Sequence, residues 1–219
     1  VPKPYLQRKF DAIVQHGAHA IAVDDRSTAN QVLQEILRSE KACLIHAFND
    51  PLVIAGQGTV MLELLLQVSD LEIVLAPVGG GGLLSGLCIA AHYLNPRLRL
   101  YACEPLGAAD AIESLRQNDI VPMPDPRTLA DGLRTSLGNQ TLPVLKRHLT
   151  DVFLVSEKEI LTAMRFSQET LKLDIEPSSA VALAPLLRRE PALVGRRVGV
   201  VLTGGNVDMD SFWQSVIQT

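Results

Sequence analysis

The chain has 219 residues, of which 47% are hydrophobic, and this is enough to bury a core in one large domain or a domain and a half. Its formal net charge of −4 argues against nucleic acid as the main partner. No apolar stretch reaches the roughly 20 residues that span a bilayer, and no signal peptide is recognisable, so no membrane partner is expected.

Two predicted helices and two predicted strands alternate in the first 50 residues. In order, they are a helix over residues 5–16, a strand over 20–23, a helix over 27–39 and a strand over 42–45. Gly17 is expected to end the first helix and Ser27 to cap the second. These elements form one αβαβ unit, and we expect a domain boundary near residues 49–52.

Strands and helices continue to alternate in the rest of the chain. The predicted strands are residues 72–77, 98–103, 152–155 and 198–202. The predicted helices are residues 56–68, 84–91, 156–171 and 177–189, the third of which opens with a capping box of Ser156 and Glu159. Residues 118–128 are rich in proline and predicted to be irregular. This alternation predicts an α/β fold with a mostly parallel, doubly wound sheet.

The chain contains three cysteines, Cys43, Cys88 and Cys103, each within an apolar strand or helix pattern. The pattern predicts buried free thiols and neither a disulfide framework nor a metal site. Free thiols are typical of a reducing compartment, so a cytoplasmic location is expected.

Four consecutive glycines, residues 79–82, follow a predicted strand and precede a predicted helix. Glycine allows backbone angles that other residues avoid and lets the main chain approach a ligand closely. The free N–H groups at the start of the helix then face an anion, and a phosphate is the expected ligand. The alternative is a tight turn without a ligand, for which one or two glycines would suffice.

Two common phosphate-binding motifs fit this loop poorly. In the nucleotide-binding P-loop, a lysine and a hydroxyl residue follow the last glycine, but Leu87 and Cys88 stand there after Gly86. The dinucleotide motif G-x-G-x-x-G fails as well, because Leu84 or Ser85 occupies its sixth position. An acidic residue that ends the following strand, Glu104, keeps dinucleotide binding open as an alternative.

Six short motifs occur in an order that resembles one family. They are AGQGT at residues 55–59, PVGGGG at 77–82, EP at 104–105, ADG at 130–132, IEP at 175–177 and TGGNV at 203–207. Together they resemble the threonine dehydratase and serine racemase family of pyridoxal-phosphate enzymes of fold type II. The resemblance implies a partial chain. Residues 1–50 match the C-terminal part of the family's small domain, and residues 51–219 match its larger cofactor-binding domain.

The resemblance also implies the cofactor contacts. The phosphate of pyridoxal 5′-phosphate would be held by Gly79, Gly80, Gly81, Gly82 and the N–H of Leu83. Thr203 would face the pyridine nitrogen, and Glu176 would lie near the ring. A hydroxyl cannot keep the ring nitrogen protonated as a carboxylate would, which suits β-elimination from a hydroxy amino acid. The alternative for Thr203 is a hydroxyl that serves only the Thr-Gly-Gly turn.

A metal site is implied for Glu104, Ala108 and Asp110. In relatives that use a divalent cation, two carboxylates and a backbone carbonyl at this spacing bind magnesium or calcium, and oxygen ligands suit both ions. The alternative is that Asp110 caps or charges the start of a helix while Glu104 is solvated.

The family's Schiff-base lysine and substrate-binding loop match no segment of residues 1–219. No catalytic residue is therefore assigned within this chain; the lysine is expected upstream, and the chain alone is expected to be inactive. The resemblance implies a homodimeric ammonia-lyase that converts L-threonine, L-serine or a related hydroxy amino acid to a 2-oxo acid and ammonia. A serine racemase activity and a non-catalytic fragment that binds a phosphate ligand are the alternatives.

Overall fold

The computed structural model describes residues 1, 3 and 7–217, and the chain divides into two compact units. The first unit is Val1–Ile45 and the second is His46–Thr219. No helix in the described part of the chain is long and apolar enough to cross a membrane.

The first unit contains two helices, α1 (Gln7–Gln15) and α2 (Arg26–Ser39). Residues 5 and 6 of the predicted first helix lie outside the described residues. Gly17 follows α1 with a φ of 81°, a left-handed conformation that favours glycine. The cap predicted for α2 is wrong by two residues, because the Asp25 carboxylate accepts the N–H of Thr28 at 2.7 Å and Ser27 lies inside the helix.

The two strands predicted in the first unit are wrong. Around Val23 only an isolated bridge forms, in which its N–H donates to the Val1 carbonyl and its carbonyl accepts from Lys3. Residues 42–45 form no strand, and Ile45 is 79% exposed. A strand needs a hydrogen-bonded neighbour along its length, and the described residues of this unit do not supply one. Cys43 is consequently exposed, contrary to prediction, whereas Cys88 and Cys103 are buried free thiols.

A four-stranded parallel sheet forms the centre of the second unit. Its strands are β1 (Ile73–Pro77), β2 (Arg99–Pro105), β3 (Asp151–Val155) and β4 (Val198–Val200). Their spatial order is β3-β2-β1-β4, and all three pairings are parallel. Strands β2 and β3 therefore follow on one side of β1, and β4 lies on its other side. The strand order reverses at the β1–β4 pair, and such a reversal opens a crevice at the carboxyl ends of the strands.

Helices cover both faces of this sheet, as predicted, although those over residues 110–117, 141–148 and 209–217 were not among the predicted helices. They are α3 (Pro51–Gln67), α4 (Gly82–Leu94), α5 (Asp110–Gln117), α6 (Thr141–His148), α7 (Glu157–Phe166), α8 (Pro177–Ala180), α9 (Ala184–Leu187) and α10 (Met209–Ile217). Because side chains alternate along a strand, Ile73 and Leu75 join one core and Val74 and Ala76 the other. Helices α7 to α10 contribute to the first core, and α3 to α6 contribute to the second.

The largest departures from the predicted helix bounds occur at α3 and over residues 177–189. Helix α3 begins at Pro51 instead of residue 56, because the Asp50 carboxylate caps it by accepting the N–H groups of Leu52 and Val53. The helix predicted over residues 177–189 divides into α8 and α9. After α8 the chain tightens into a turn where Leu183 donates to the Ala180 carbonyl, and Pro185 has no N–H to restore the α-helical pattern.

The capping box predicted at Ser156 is confirmed. The Glu159 carboxylate accepts the Ser156 N–H at 2.8 Å, and the Ser156 hydroxyl oxygen accepts the Glu159 N–H at 3.4 Å. Helix α7 ends at Phe166, and a π-helical turn over Ser167–Leu171 completes the predicted length.

Candidate functional site

The glycine loop connects the end of β1 to the start of α4, next to the crevice where the strand order reverses. Val78 is tied to β2 by its N–H, which donates to the Cys103 carbonyl at 3.0 Å. Gly81 then adopts a left-handed conformation, with φ 86°, and Gly82 begins the helix. A residue with a side chain would be strained at Gly81, so the turn depends on glycine there.

Close packing around the loop explains why its neighbours are also glycines. A Cβ on Gly80 would lie 2.3 Å from the ring of Phe48, and one on Gly82 would lie 2.8 Å from the Phe48 main chain. A Cβ on Gly79 would lie 3.2 Å from the Gly132 carbonyl and from the Thr135 hydroxyl. The segments before α3 and around residue 132 therefore hold the loop from two sides.

The main-chain N–H groups of this loop are available to an anion. Among the described residues, no protein acceptor pairs with the N–H groups of Gly79, Gly80, Gly81, Gly82 and Leu83. Gly80, Gly81 and Gly82 are buried, and an unpaired buried N–H is uncommon in a folded protein. At the N-terminus of α4, these groups have the direction and partial positive charge that a phosphate group requires.

Phe48 is held against the loop by a small hydrogen-bonded turn. His46 Nδ1 accepts the N–H groups of Phe48 at 3.3 Å and of Asn49 at 3.0 Å. The Asn49 side chain accepts the Gln140 N–H at 2.9 Å and donates to Asn139 at 2.8 Å. The His46 ring thus stabilises the main chain of this turn and has a structural role.

A series of contacts connects the glycine loop to Thr203. Gly79 packs against Gly132, and the Gly132 N–H donates to the Ser178 hydroxyl at 3.0 Å. The next residue, Ser179, accepts the N–H of Thr203 at 2.9 Å. The two serines at the start of α8 therefore fix the Asp131–Leu133 turn and the loop after β4 in the same region. Thr203 itself is exposed.

Glu176 lies beside the loop that follows β4. Its N–H donates to the Gly204 carbonyl at 2.9 Å, and a Cβ on Gly204 would lie 2.8 Å from the Glu176 carboxylate. The structure thus brings the phosphate residues, Thr203 and Glu176 to the carboxyl ends of neighbouring strands.

The carboxylates of the predicted metal site are buried, and the alternative is wrong about the solvation of Glu104 and the helix cap by Asp110, although Asp110 does lie in the first turn of α5. Glu104 is only 1% exposed, so it is not solvated. Its carboxylate also provides the helix cap expected of Asp110, because it accepts the N–H groups of Ala111 at 2.6 Å and Ile112 at 3.1 Å. Ala108 ends a 3₁₀ turn, and Asp110 begins α5.

Burial changes the titration of both carboxyls. It raises the pKa of Glu104 to about 8, against the lowering effect of its two main-chain hydrogen bonds, and the neighbouring Asp110 charge adds to the rise. Burial also raises the pKa of Asp110 to about 7. One oxygen of Asp110, Oδ2, is buried without a hydrogen-bond partner. Within the described residues, no group of three or more His, Cys, Asp or Glu side chains is arranged to hold a metal ion.

A second positively charged region lies at the opposite edge of the sheet, where the strands begin. Four arginines, Arg97, Arg99, Arg196 and Arg197, line a cavity of about 610 Å³ there. Arg196 pairs with Glu72 at 3.0 Å, and Arg197 pairs with Asp70 at 3.0 Å. Two acidic residues thus offset part of this charge, whereas the glycine loop has no carboxylate against its N–H groups in the described structure.

The sequence did not identify three of the residues that shape this site. Ser178 and Ser179 follow the Glu-Pro motif directly, and Thr141 begins α6 after the Gly-Asn-Gln segment. Hydroxyl residues at helix starts are common capping residues, so nothing local distinguishes them. Their role depends on contacts with residues far away in the chain.

The fold and the loop define the class of protein. A parallel α/β sheet that presents buried, unpaired N–H groups at its strand-order reversal is an architecture that binds a cofactor through its phosphate. A family described as pyridoxal-phosphate dependent enzyme matches residues 1–204. The chain belongs to this family, which confirms pyridoxal phosphate as the cofactor and confirms the fold type II prediction.

Individual relatives agree with this assignment. The serine racemase of Arabidopsis thaliana is 39% identical over 221 residues, covering 98% of this chain and 67% of the relative. The β-hydroxyaspartate dehydratase of Paracoccus denitrificans is 38% identical over 211 residues, covering 96% and 67%. The solved structure of maize serine racemase, 36% identical, superposes with a TM-score of 0.90 over 99% of this chain and 68% of its own. The chain spans about two thirds of the length of these relatives.

Proposed function

We propose that this chain is the cofactor-binding part of an ammonia-lyase that dehydrates L-serine, L-threonine or a related hydroxy amino acid. The observation that carries the proposal is the row of unpaired N–H groups on residues 79–83, which a series of contacts through Gly132, Ser178 and Ser179 connects to Thr203. The products would be a 2-oxo acid and ammonia. The dehydratase among the relatives supports a lyase reaction.

Each site residue has a defined task in this proposal. The N–H groups of residues 79–83 would hold the phosphate of the cofactor. Thr203 would offer its hydroxyl to the pyridine nitrogen, and Glu176 would lie near the ring. When bound, pyridoxal phosphate withdraws electrons from the substrate's α-carbon and makes its proton acidic. Thr203, being neutral, leaves that withdrawal weaker than a carboxylate would, which favours loss of a β-hydroxyl.

We also propose that Glu104, the Ala108 carbonyl and Asp110 bind Mg²⁺ or Ca²⁺. Two features support this proposal, namely the unpaired buried Oδ2 of Asp110 and the raised pKa values of both carboxyls. Each feature indicates negative charge that the protein alone compensates poorly. A hard cation with additional water ligands would compensate it.

Racemisation of serine is the second candidate, and it is favoured by the serine racemases among the relatives. Both reactions begin with removal of the α-proton, and they differ in the step that follows. A third possibility, non-catalytic binding of a phosphate ligand, follows from the absence of the family's Schiff-base lysine motif within residues 1–219.

One experiment separates these candidates. The full-length protein, with the upstream segment expected to carry the lysine, is incubated with pyridoxal phosphate and L-serine, L-threonine or hydroxyaspartate. Keto acid, ammonia and D-amino acid are then measured. Keto acid and ammonia without D-serine support the lyase, and D-serine supports the racemase. The absence of all three products, with the cofactor bound, would contradict both.

A second measurement locates the Schiff-base lysine. After borohydride reduction with pyridoxal phosphate, mass spectrometry identifies the modified residue. We expect no specific adduct on the lysines of this chain, which are Lys3, Lys9, Lys41, Lys146, Lys158 and Lys172. A stoichiometric adduct on any of them would contradict an upstream lysine.

A further inference from the structure

We propose that Thr141 is a positioning residue that orients the Gly80–Gly81 peptide toward the cofactor phosphate. The inference rests on the proposed function. Thr141 is the first residue of α6 and is fully buried. Its hydroxyl donates to the Gly80 carbonyl at 2.8 Å, with the Gly138 carbonyl as a second acceptor at 3.1 Å, and it accepts the Gly138 N–H at 2.9 Å.

Because the peptide bond is planar, this hydrogen bond also fixes the direction of the next N–H group. In a trans peptide the carbonyl of one residue and the N–H of the next point in opposite directions. When Thr141 holds the Gly80 carbonyl, it therefore directs the Gly81 N–H away from itself. That N–H is one of the loop donors without a protein acceptor in the described structure. The buried hydroxyl thus fixes a donor that it does not touch.

Packing against Gly81 strengthens the same constraint. A Cβ on Gly81 would lie 2.9 Å from the Thr141 hydroxyl and 3.0 Å from its Cβ. The Ser85 hydroxyl also donates to the Thr141 carbonyl at 3.4 Å, which connects the first turns of α4 and α6. Thr141 therefore limits both the rotation of the peptide and the position of the helix that follows it. Pre-ordered donors bind an anion more tightly than donors that must be ordered on binding.

The test compares Thr141→Val with Thr141→Ser. Valine keeps the shape and removes the hydroxyl, whereas serine keeps the hydroxyl. Equilibrium dialysis measures the affinity of each variant for pyridoxal phosphate and for pyridoxal, which lacks the phosphate. Since a lost hydrogen bond is worth about a tenfold change in affinity, we expect Thr141→Val to bind pyridoxal phosphate about tenfold more weakly. Its affinity for pyridoxal should stay within about twofold, and Thr141→Ser should resemble the wild type.

The contrast between the two ligands separates positioning from general damage to the fold. If Thr141→Val binds pyridoxal phosphate as tightly as the wild type, or loses both ligands equally, the inference is wrong. If the wild type itself does not prefer pyridoxal phosphate over pyridoxal, the proposed phosphate site fails as well. Should Thr141→Val not fold, Thr141→Cys replaces it, because a thiol is a weak donor of similar size, and the same criteria apply.

Discussion

The glycine loop after β1 and the carboxyl pair near the end of β2 are neighbours with opposite electrostatic character. The two strands pair in register, with Pro77 opposite Cys103, and Glu104 follows Cys103 directly. The loop presents main-chain N–H groups without acceptors, whereas Glu104 and Asp110 present buried carboxyls with raised pKa values. One region favours an anion, and the other is the site where we propose that a cation binds.

The two regions attract an ion by different physical means. The loop depends on backbone shape, so its requirement is visible in the sequence as glycine. The carboxyl pair depends on burial, because burial penalises the charged form and an unpaired oxygen remains. Burial is a property of the fold, which the residue types alone do not report. Substitutions that alter backbone shape should therefore affect anion binding at the loop only. Substitutions that alter charge should affect the carboxyl pair only.

The largest expected effect is that of Gly80→Ala. The added Cβ would lie 2.3 Å from the Phe48 ring, which must move or distort the loop. Since overpacking costs about 1–3 kcal/mol, we expect the free energy of unfolding to fall by that amount and the affinity for pyridoxal phosphate to be lost. Urea denaturation and cofactor titration measure the two effects. The matched control is Gly56→Ala in α3, where no atom outside the local backbone of the helix lies within 4 Å of the added Cβ. There we expect a gain of about 0.5–1 kcal/mol.

The clash itself can be tested by removing the opposing ring. In the double variant Gly80→Ala with Phe48→Ala, the space for the Cβ is restored, so the two changes should cost less together than the sum of each alone. Strictly additive free energies of unfolding would show that Phe48 does not press on Gly80, and the explanation for the glycine would be wrong.

A pH-dependent change in stability is the next expected effect. Burial raises the pKa of Glu104 from its ordinary 4.5 to about 8, so the folded protein holds this proton more tightly than the unfolded chain. The stability that the protonated Glu104 contributes is fully present below about pH 4.5 and declines as the pH rises toward 8. Asp110 acts in the same direction, with a pKa of about 7. Without divalent cations, the free energy of unfolding should fall between pH 5 and pH 8.

Two controls relate this slope to the carboxyl pair. Glu104→Gln removes the titrating group, so its stability should depend less on pH than that of the wild type. Addition of Mg²⁺ or Ca²⁺ at pH 8 should raise the melting temperature of the wild type but not that of Glu104→Gln. An equal pH slope in both proteins would contradict the role assigned to Glu104.

A smaller effect is expected from Ser179→Ala. Removing the hydroxyl leaves the Thr203 N–H without its acceptor, which should lower the free energy of unfolding by about 1–2 kcal/mol. Thr203 should then be held less firmly, so the affinity for the cofactor should also fall. Ser178→Ala is the comparison, because it releases Gly132 and not Thr203. Unchanged stability and affinity in Ser179→Ala would contradict this contact.

The smallest expected effect lies outside both regions. Ser156→Ala removes half of the capping box of α7 and should cost about 1 kcal/mol of unfolding free energy. Cofactor affinity and cation response should both stay at the wild-type level. A change in either would show that the two regions are coupled to the whole fold more widely than their contacts indicate.

Much of the second unit could be predicted from the sequence. Its strands β1 and β2 are buried along almost their whole length and β3 and β4 are partly buried, so each appears as a short apolar run, and the glycines mark the loop directly. The strands predicted in the first unit failed because an apolar run becomes a strand only beside a partner. The prediction of one continuous helix over residues 177–189 was wrong because its apolar periodicity concealed the break associated with Pro185.

The site was only partly predictable, for a related reason. Glycines and acidic residues identify themselves by their type, but the supporting contacts join distant segments. Thr141 is 61 positions from Gly80, and Ser179 is 24 positions from Thr203. No local pattern in one sequence reports such pairs, so they emerge only from the folded arrangement.

A crystal structure of the protein with bound pyridoxal phosphate tests the central claim most directly. The account predicts phosphate oxygens about 3 Å from the N–H groups of residues 79–83, with Thr203 at the pyridine nitrogen. A phosphate bound instead among Arg97, Arg99, Arg196 and Arg197, at the opposite edge of the sheet, would contradict it.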